Sequence, residues 1–283
     1  MLGRSLQIVR LLGVGGAGVL AMSLALPAMA GITWTMSGNS DCGSNCLAAA
    51  KAGDTRSFTA GGIVLTASAW SNTGGSPVGG DPSTGTIQTA YLGLYSGGLG
   101  VKNRDGGSSS PNTGDTDEWK SPEHAVDNNQ RYDSVLFEFT HTDGTAAEII
   151  LKEIKVGYIS GDSDISVLAW EHDGAPPLDG KAYTSLVDAG WTFIGNYSDL
   201  ELNNPETINT GNVQAAYWLV GAFFDPTDTL DKAHKKDTHV KIMAAYGKEG
   251  EKKPPNGVPE PSALLLLGIA LVGLRATRRG QRA

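Results

Sequence analysis

"RYDSVLFEFTH", residues 131–141, decides the fold class. Val135, Phe137 and Phe139 alternate with Ser134, Leu136 and Glu138, the period of two that places successive side chains on opposite faces of a strand. Leu136 breaks the alternation, being apolar where the outward face should be polar, and this predicts a strand buried on both sides. The next stretch, "AEIILKEIKVGYI" (147–159), carries Ile149, Leu151, Ile154, Val156 and Tyr158, with the apolar face shifting near Lys152 and Glu153. That shift reads as a strand with a bulge. A helix fits the same spacing on periodicity alone, but the β-rich neighbours favour the strand.

Working outward, "GDSDISVLAWEHDG" (161–174) places Asp162 and Asp164 in a turn before a strand from Ile165 to Trp170. Glu171, His172 and Asp173 follow as a strand end entering a turn, where successive side chains diverge. "SFTAGGIVLTASAW" (57–70) reads as one strand ending at Trp70, and "TIQTAYLGLYSGGLGVKN" (86–103) as a pair around Tyr91 and Tyr95. "WTFIGNYSDL" (191–200), "NVQAAYWLVGAFF" (212–224) and "DTHVKIMAAYG" (237–247) supply three more strands. Polar stretches at 105–116 and 225–237 separate them. Short strands between Gly, Ser, Asn and Asp turns predict an all-β fold, a single β-sandwich of jelly-roll-like type over residues 31–246. Residues 247–258, "GKEGEKKPPNGV", read as a charged, Pro-containing linker.

The two ends have a different character. Arg4 and Arg10 precede an apolar run from Leu11 to Leu26, and Ala28-Met29-Ala30 forms a small-x-small cleavage site, so residues 1–30 read as a secretory signal peptide. Its expected partners are the Sec machinery and signal peptidase. At the other end, Ser262 to Leu274 is an uncharged stretch of roughly 20 Å as a helix, short for a hydrocarbon core of roughly 30 Å. Arg275, Arg278 and Arg279 follow it, snorkel, and fix its C-terminus in the cytoplasm. Residues 259–283 therefore read as a transmembrane helix preceded by Pro259-Glu260-Pro261, which stays extended at the membrane face.

Of the 22 basic residues, six lie in the two terminal segments, whereas all 30 acidic residues lie in 31–261. The body thus carries a net charge of about −14, which excludes nucleic acid and anionic lipid as natural partners and suits cations and neutral polysaccharide. Cys42 and Cys46 in "DCGSNC" are the only cysteines of the chain and lie in the exported part, which predicts a small local disulfide.

Pro-Glu-Pro, a short apolar helix and a terminal Arg cluster, in that order, resemble the PEP-CTERM sorting signal of Gram-negative bacteria. The resemblance covers the last 25 or so residues and implies that an exosortase, a membrane-embedded cysteine transpeptidase, recognises Pro259, Glu260 and Pro261 and removes the helix, with Arg275, Arg278 and Arg279 as the cytoplasmic stop. Four blocks, "YLGLYSGGLGVKNRDGG" (91–107), "PEHAVDNNQRYDSVLFEF" (122–139), "GYISGDSDISVLAW" (157–170) and "AAYWLVGAFF" (215–224), together resemble the exosortase-dependent surface proteins. That resemblance implies transient inner-membrane anchoring, then the cell surface or extracellular matrix, with exopolysaccharide as a partner. It implies no catalytic residues.

The best-formed polar constellation is "HAVDNNQRYDS" (124–134), with His124, Asp127, Asn128 and Asp133, followed by Glu138. Oxygen ligands clustered at the mouth of a sandwich suit Ca²⁺, so Asp127, Asn128 and Asp133 are candidate ligands; turn capping is the other reading. The block is also similar to the Asp-Asn loops of calcium-stabilised jelly-roll modules that bind sugars. Asp162 and Asp164 raise the same pair of readings. Trp119, among polar residues, is a candidate platform for a sugar ring or a half-buried loop aromatic, while Trp34, Trp70, Trp170, Trp191 and Trp218 read mainly as core. No G-x-S-x-G, H-E-x-x-H or P-loop pattern is present. The expectation is a non-enzymatic surface or matrix protein; the alternative is a calcium-dependent carbohydrate-binding module.

Overall fold

The computed structural model describes residues 31–37, 51–74, 85–104, 124–129, 131–222, 224 and 237–251. The expected signal peptide, the Cys42–Cys46 pair, Trp119 and the sorting tail with Pro259, Glu260, Pro261, Arg275, Arg278 and Arg279 lie outside these residues.

Among the described residues, fourteen strands form two antiparallel sheets. In chain order they are β1 (Ile32–Thr35), β2 (Thr55–Ala60), β3 (Ile63–Gly74), β4 (Thr86–Thr89), β5 (Tyr91–Tyr95), β6 (Gly98–Lys102), β7 (Val126–Asp127), β8 (Asp133–His141), β9 (Ile149–Gly161), β10 (Ile165–Trp170), β11 (Thr192–Tyr197), β12 (Pro205–Thr207), β13 (Tyr217–Ala222) and β14 (Thr238–Glu249). The first sheet runs β12-β9-β14-β6-β5, with β1 and β7 also paired to β14; the second runs β11-β10-β13-β8-β3-β2, with β4 paired to β3. Each sheet is thus organised by one long strand. One edge of β14 pairs with β9 along its length, and the other takes β7, β6 and β1 in succession.

The core lies between the sheets. Leu65, Ala67, Ala69, Val135, Phe137, Phe139, Val167 and Val220 from the second sheet meet Leu92, Leu99, Val101, Leu151, Ile154, Val156, Val240 and Ile242 from the first. Trp34 joins the layers: its indole nitrogen donates to the Ile63 carbonyl at 3.2 Å, and its ring meets Phe139 edge-on at 4.9 Å. A sandwich with one solvated face per sheet would leave Leu136 outside. Instead, residues 178–191 fold across the outer face of the second sheet, packing Leu178, Tyr183, Leu186 and Trp191 on Leu136, Leu168, Leu219 and Phe224. The Tyr183 hydroxyl reaches Ser134 Oγ at 2.7 Å, and burial pushes its pKa far above the ordinary phenol value. This third layer is why β8 is buried on both faces, as the run at 131–141 predicts.

The bulge expected near Lys152 is present. The register passes from Glu153↔Tyr246 to Leu151↔Gly247, which leaves Lys152 as the extra residue. Three expectations need correction. Residues 57–70 are a hairpin, because Gly61 and Gly62 both take positive φ, 57° and 81°, and close a two-residue turn between Ala60 and Ile63; β3 then continues to Gly74. Residues 86–103 hold three strands, since β4 pairs in the second sheet and β5 in the first, with the chain crossing between sheets at Ala90, whose N–H bonds the Ala69 carbonyl. Finally, β14 extends into the expected linker, because Lys248 and Glu249 still pair with Ile150 and Ile149.

Candidate functional site

The start of β14 is where the two polar loops singled out in the sequence meet. Asn128 follows β7, and its Oδ1 accepts the Thr238 N–H at 2.7 Å. Asp162 follows β9 and bridges Thr238 in parallel; its N–H bonds the Asp237 carbonyl at 3.1 Å, and its own carbonyl accepts from His239 at 3.3 Å. His239 stands opposite Asp127 in the β7–β14 ladder. One end of the sandwich therefore gathers the segments around Asp127, Asn128, Asp162 and Asp164.

Within that end, two arrangements separate by burial. Asp127 and Asp133 are fully buried, Asn128 nearly so, and Lys102, Arg131 and Lys241 are buried with them. Asp127 Oδ1 accepts the Asn129 N–H at 3.1 Å, an Asx turn, while Arg131 donates to the Asn72 carbonyl at 3.1 Å and the Tyr132 N–H to Asn72 Oδ1 at 2.8 Å. Lys241 lies within the electrostatic reach of Asp127, and opposite charges buried together lower the desolvation cost that either would carry alone. This part of the end is a polar joint between β3, β7, β8 and β14.

The second arrangement is more open. Asp162, Asp164 and Asp199 bring carboxylate oxygens within 4.8 Å of one another, with Asp164 buried, Asp162 half-buried and Asp199 exposed. Asp164 Oδ1 accepts the Asp199 N–H at 2.8 Å, Asp162 Oδ1 accepts the Ser163 N–H at 2.9 Å, and Ser163 Oγ donates to the Leu200 carbonyl at 2.9 Å. Asp199 holds a left-handed backbone, φ 54°, a conformation that Asp tolerates better than most residues. Three carboxylates this close repel one another when ionised, and the oxygen-only donor set is the kind a hard cation such as Ca²⁺ accepts. Asp127 and Asp133 do not belong to this cluster.

Asp199 is the residue that sequence reading passes over. It lies 35 positions from Asp164 and comes back through the β10–β11 pairing, in which Ile165 stands opposite Tyr197. The other acidic stretch, Glu171 to Asp173, behaves as expected. β10 ends at Trp170, Glu171 Oε1 accepts the Thr192 hydroxyl at 2.6 Å, and the His172 ring packs edge-on against Trp170 at 4.7 Å.

Beyond the described residues, positions 257–279 match the family model of the PEP-CTERM protein-sorting motif. The motif implies an exosortase partner, export and membrane-associated processing before delivery to the surface. The chain matches no curated protein and no solved structure.

Proposed function

We propose that this chain is a non-enzymatic protein of the cell surface or extracellular matrix. The Sec machinery and signal peptidase deliver an acidic β-sandwich across the inner membrane, the C-terminal helix holds it briefly, and an exosortase removes that helix. The observation that carries this reading is the sorting motif at 257–279, which stands C-terminal to a β-sandwich whose last described strand ends at Glu249. Pro259, Glu260 and Pro261 are the recognition element, and Arg275, Arg278 and Arg279 the cytoplasmic stop. Intact-mass analysis of the protein from its native cells tests this. Wild type is expected to lack residues after the Pro-Glu-Pro element, and a variant with Ala at 259–261 to keep them; a wild type that keeps Arg275 overturns the reading.

A second reading, a calcium-dependent carbohydrate-binding module, draws support from the Asp162, Asp164 and Asp199 cluster. Calorimetric titration with Ca²⁺ is then expected to show one site that D199N weakens at least about 10-fold. Sugar binding that is indifferent to chelator removes this reading and leaves the first intact.

A further inference from the structure

Lys241 occupies an unusual position for a lysine. Its neighbours Val240 and Ile242 point into the core, so strand alternation sends Lys241 to the outer face of the first sheet, yet only 5% of it is exposed. The ammonium is held between rings: Nζ lies 3.8 Å from the centroid of Tyr158, its register partner on β9, and 4.9 Å from that of Tyr95 on β5. Glycines fix Tyr95 in place. A Cβ at Gly93 would collide with the Tyr95 ring, and one at Gly100 with the His124 carbonyl, while the His124 ring stacks on Tyr95 at 5.2 Å. On the other side, a Cβ at Gly157 would strike Met243 and the Gly97 carbonyl. Five chain segments thus converge to build the place where one ammonium sits.

Ring faces attract a cation but accept no N–H in the manner of an oxygen. Among the described residues, Lys241 has these two faces and the more distant charge of Asp127, and no hydrogen-bond acceptor. Burial lowers its pKa to about 8, and Asp127 opposes that shift only in part. Three retracted donors with aromatic walls complement an anionic group attached to a ring with C–H faces. A phosphate dianion fits poorly beside Asp127 in a body of net charge about −14, whereas a carboxylate brings a single charge. The same acidity disfavours dense polyanions, so an acidic sugar drawn to this ammonium is best spaced from the next by neutral ones.

We propose that Lys241, flanked by Tyr95 and Tyr158, docks the carboxylate of a hexuronate residue in an extracellular polysaccharide. The source of the glycan rests on the surface-protein reading; the chemistry rests on the site.

The test is an NMR titration of the folded protein, in chelator so that the Asp162 cluster takes no part, with cellobiouronic acid, cellobiose and sodium acetate as separate probes. The acidic disaccharide is expected to bind at least about 10-fold more tightly than the other two and to raise the titration midpoint of Lys241. K241M is expected to lose at least about 10-fold in affinity for it, and D199N to lose none. Y158L, which keeps the lysine and removes one wall, provides a second variant and is expected to weaken binding as well. Equal binding of acid and neutral sugar, binding no better than acetate, no binding, or full affinity in a K241M protein of unchanged melting temperature each overturns the proposal. Any of these outcomes leaves the mass analysis of sorting untouched.

Discussion

At the scale of single residues, the balance between burial and charge makes Lys241 a measurable contributor to stability. Its pKa falls from the ordinary lysine value of 10.5 to about 8 in the folded protein, so between those values the unfolded chain binds more protons than the native one. Stability therefore rises as pH increases from 8 toward 10, at no more than about 1.4 kcal/mol per pH unit, the limit for one proton. Above pH 10 the trend reverses, because Tyr183 is held protonated by burial while its unfolded counterpart ionises. Urea unfolding at a series of pH values checks this, and K241M should lose the rising limb while keeping the falling one. A wild type whose stability stays flat or falls from pH 8 to 10 sinks the account. Nothing in "HVKIMA" distinguishes this lysine from an ordinary outward-facing one. Its environment depends on Tyr158 and Tyr95, which reach it only through the sheet.

At the scale of elements, local pattern is readable wherever one strand decides its own face. The bulge at Lys152 and the double burial of β8 follow from apolar residues in the wrong phase for a simple alternation. The layer over the outer face is not readable, because Leu178, Tyr183, Leu186 and Trp191 have neither a period of two nor one of 3.6, and their order comes from the sheet they cover. The β2–β3 hairpin escapes sequence reading for a different reason. Strong alternation on both sides of Gly61-Gly62 masks a turn signal that a pair of glycines carries. The two glycines make separable predictions. Gly62 faces open space at φ 81°, so G62A should cost about 1 kcal/mol through backbone strain alone, and G62N much less. Gly61, at φ 57°, also approaches the Ile32 side chain, where an added Cβ would lie 3.1 Å from it, so G61A should cost more than G62A. Equilibrium denaturation orders the three variants, and a neutral G62A contradicts a turn that needs positive φ at both positions.

At the scale of the whole molecule, function is legible from the C-terminal tail and much less so from the body. The sorting tail is a linear signal whose parts are contiguous, so residues 257–279 can be matched without any fold. The carboxylate cluster is assembled by topology: Asp162 and Asp164 are visible as a turn, but Asp199 joins them only once β11 pairs with β10. The separation of tail and body has a consequence for processing. β14 ends at Glu249, and among the described residues the strands that pair with it lie between Ile32 and Gly161. Cleavage after Pro261 leaves that ladder whole, so the processed protein is expected to melt within about 2 °C of the full-length chain in detergent, less than a loss of about 1 kcal/mol produces in a domain of this size. Truncation at residue 237 removes the strand that organises the first sheet and strips partners from β1, β6, β7 and β9 together, and should abolish cooperative unfolding. Calorimetry on the three forms decides it. A processed protein that melts well below the full-length one means that the tail supports the sandwich, which an exosortase substrate released from its helix cannot require.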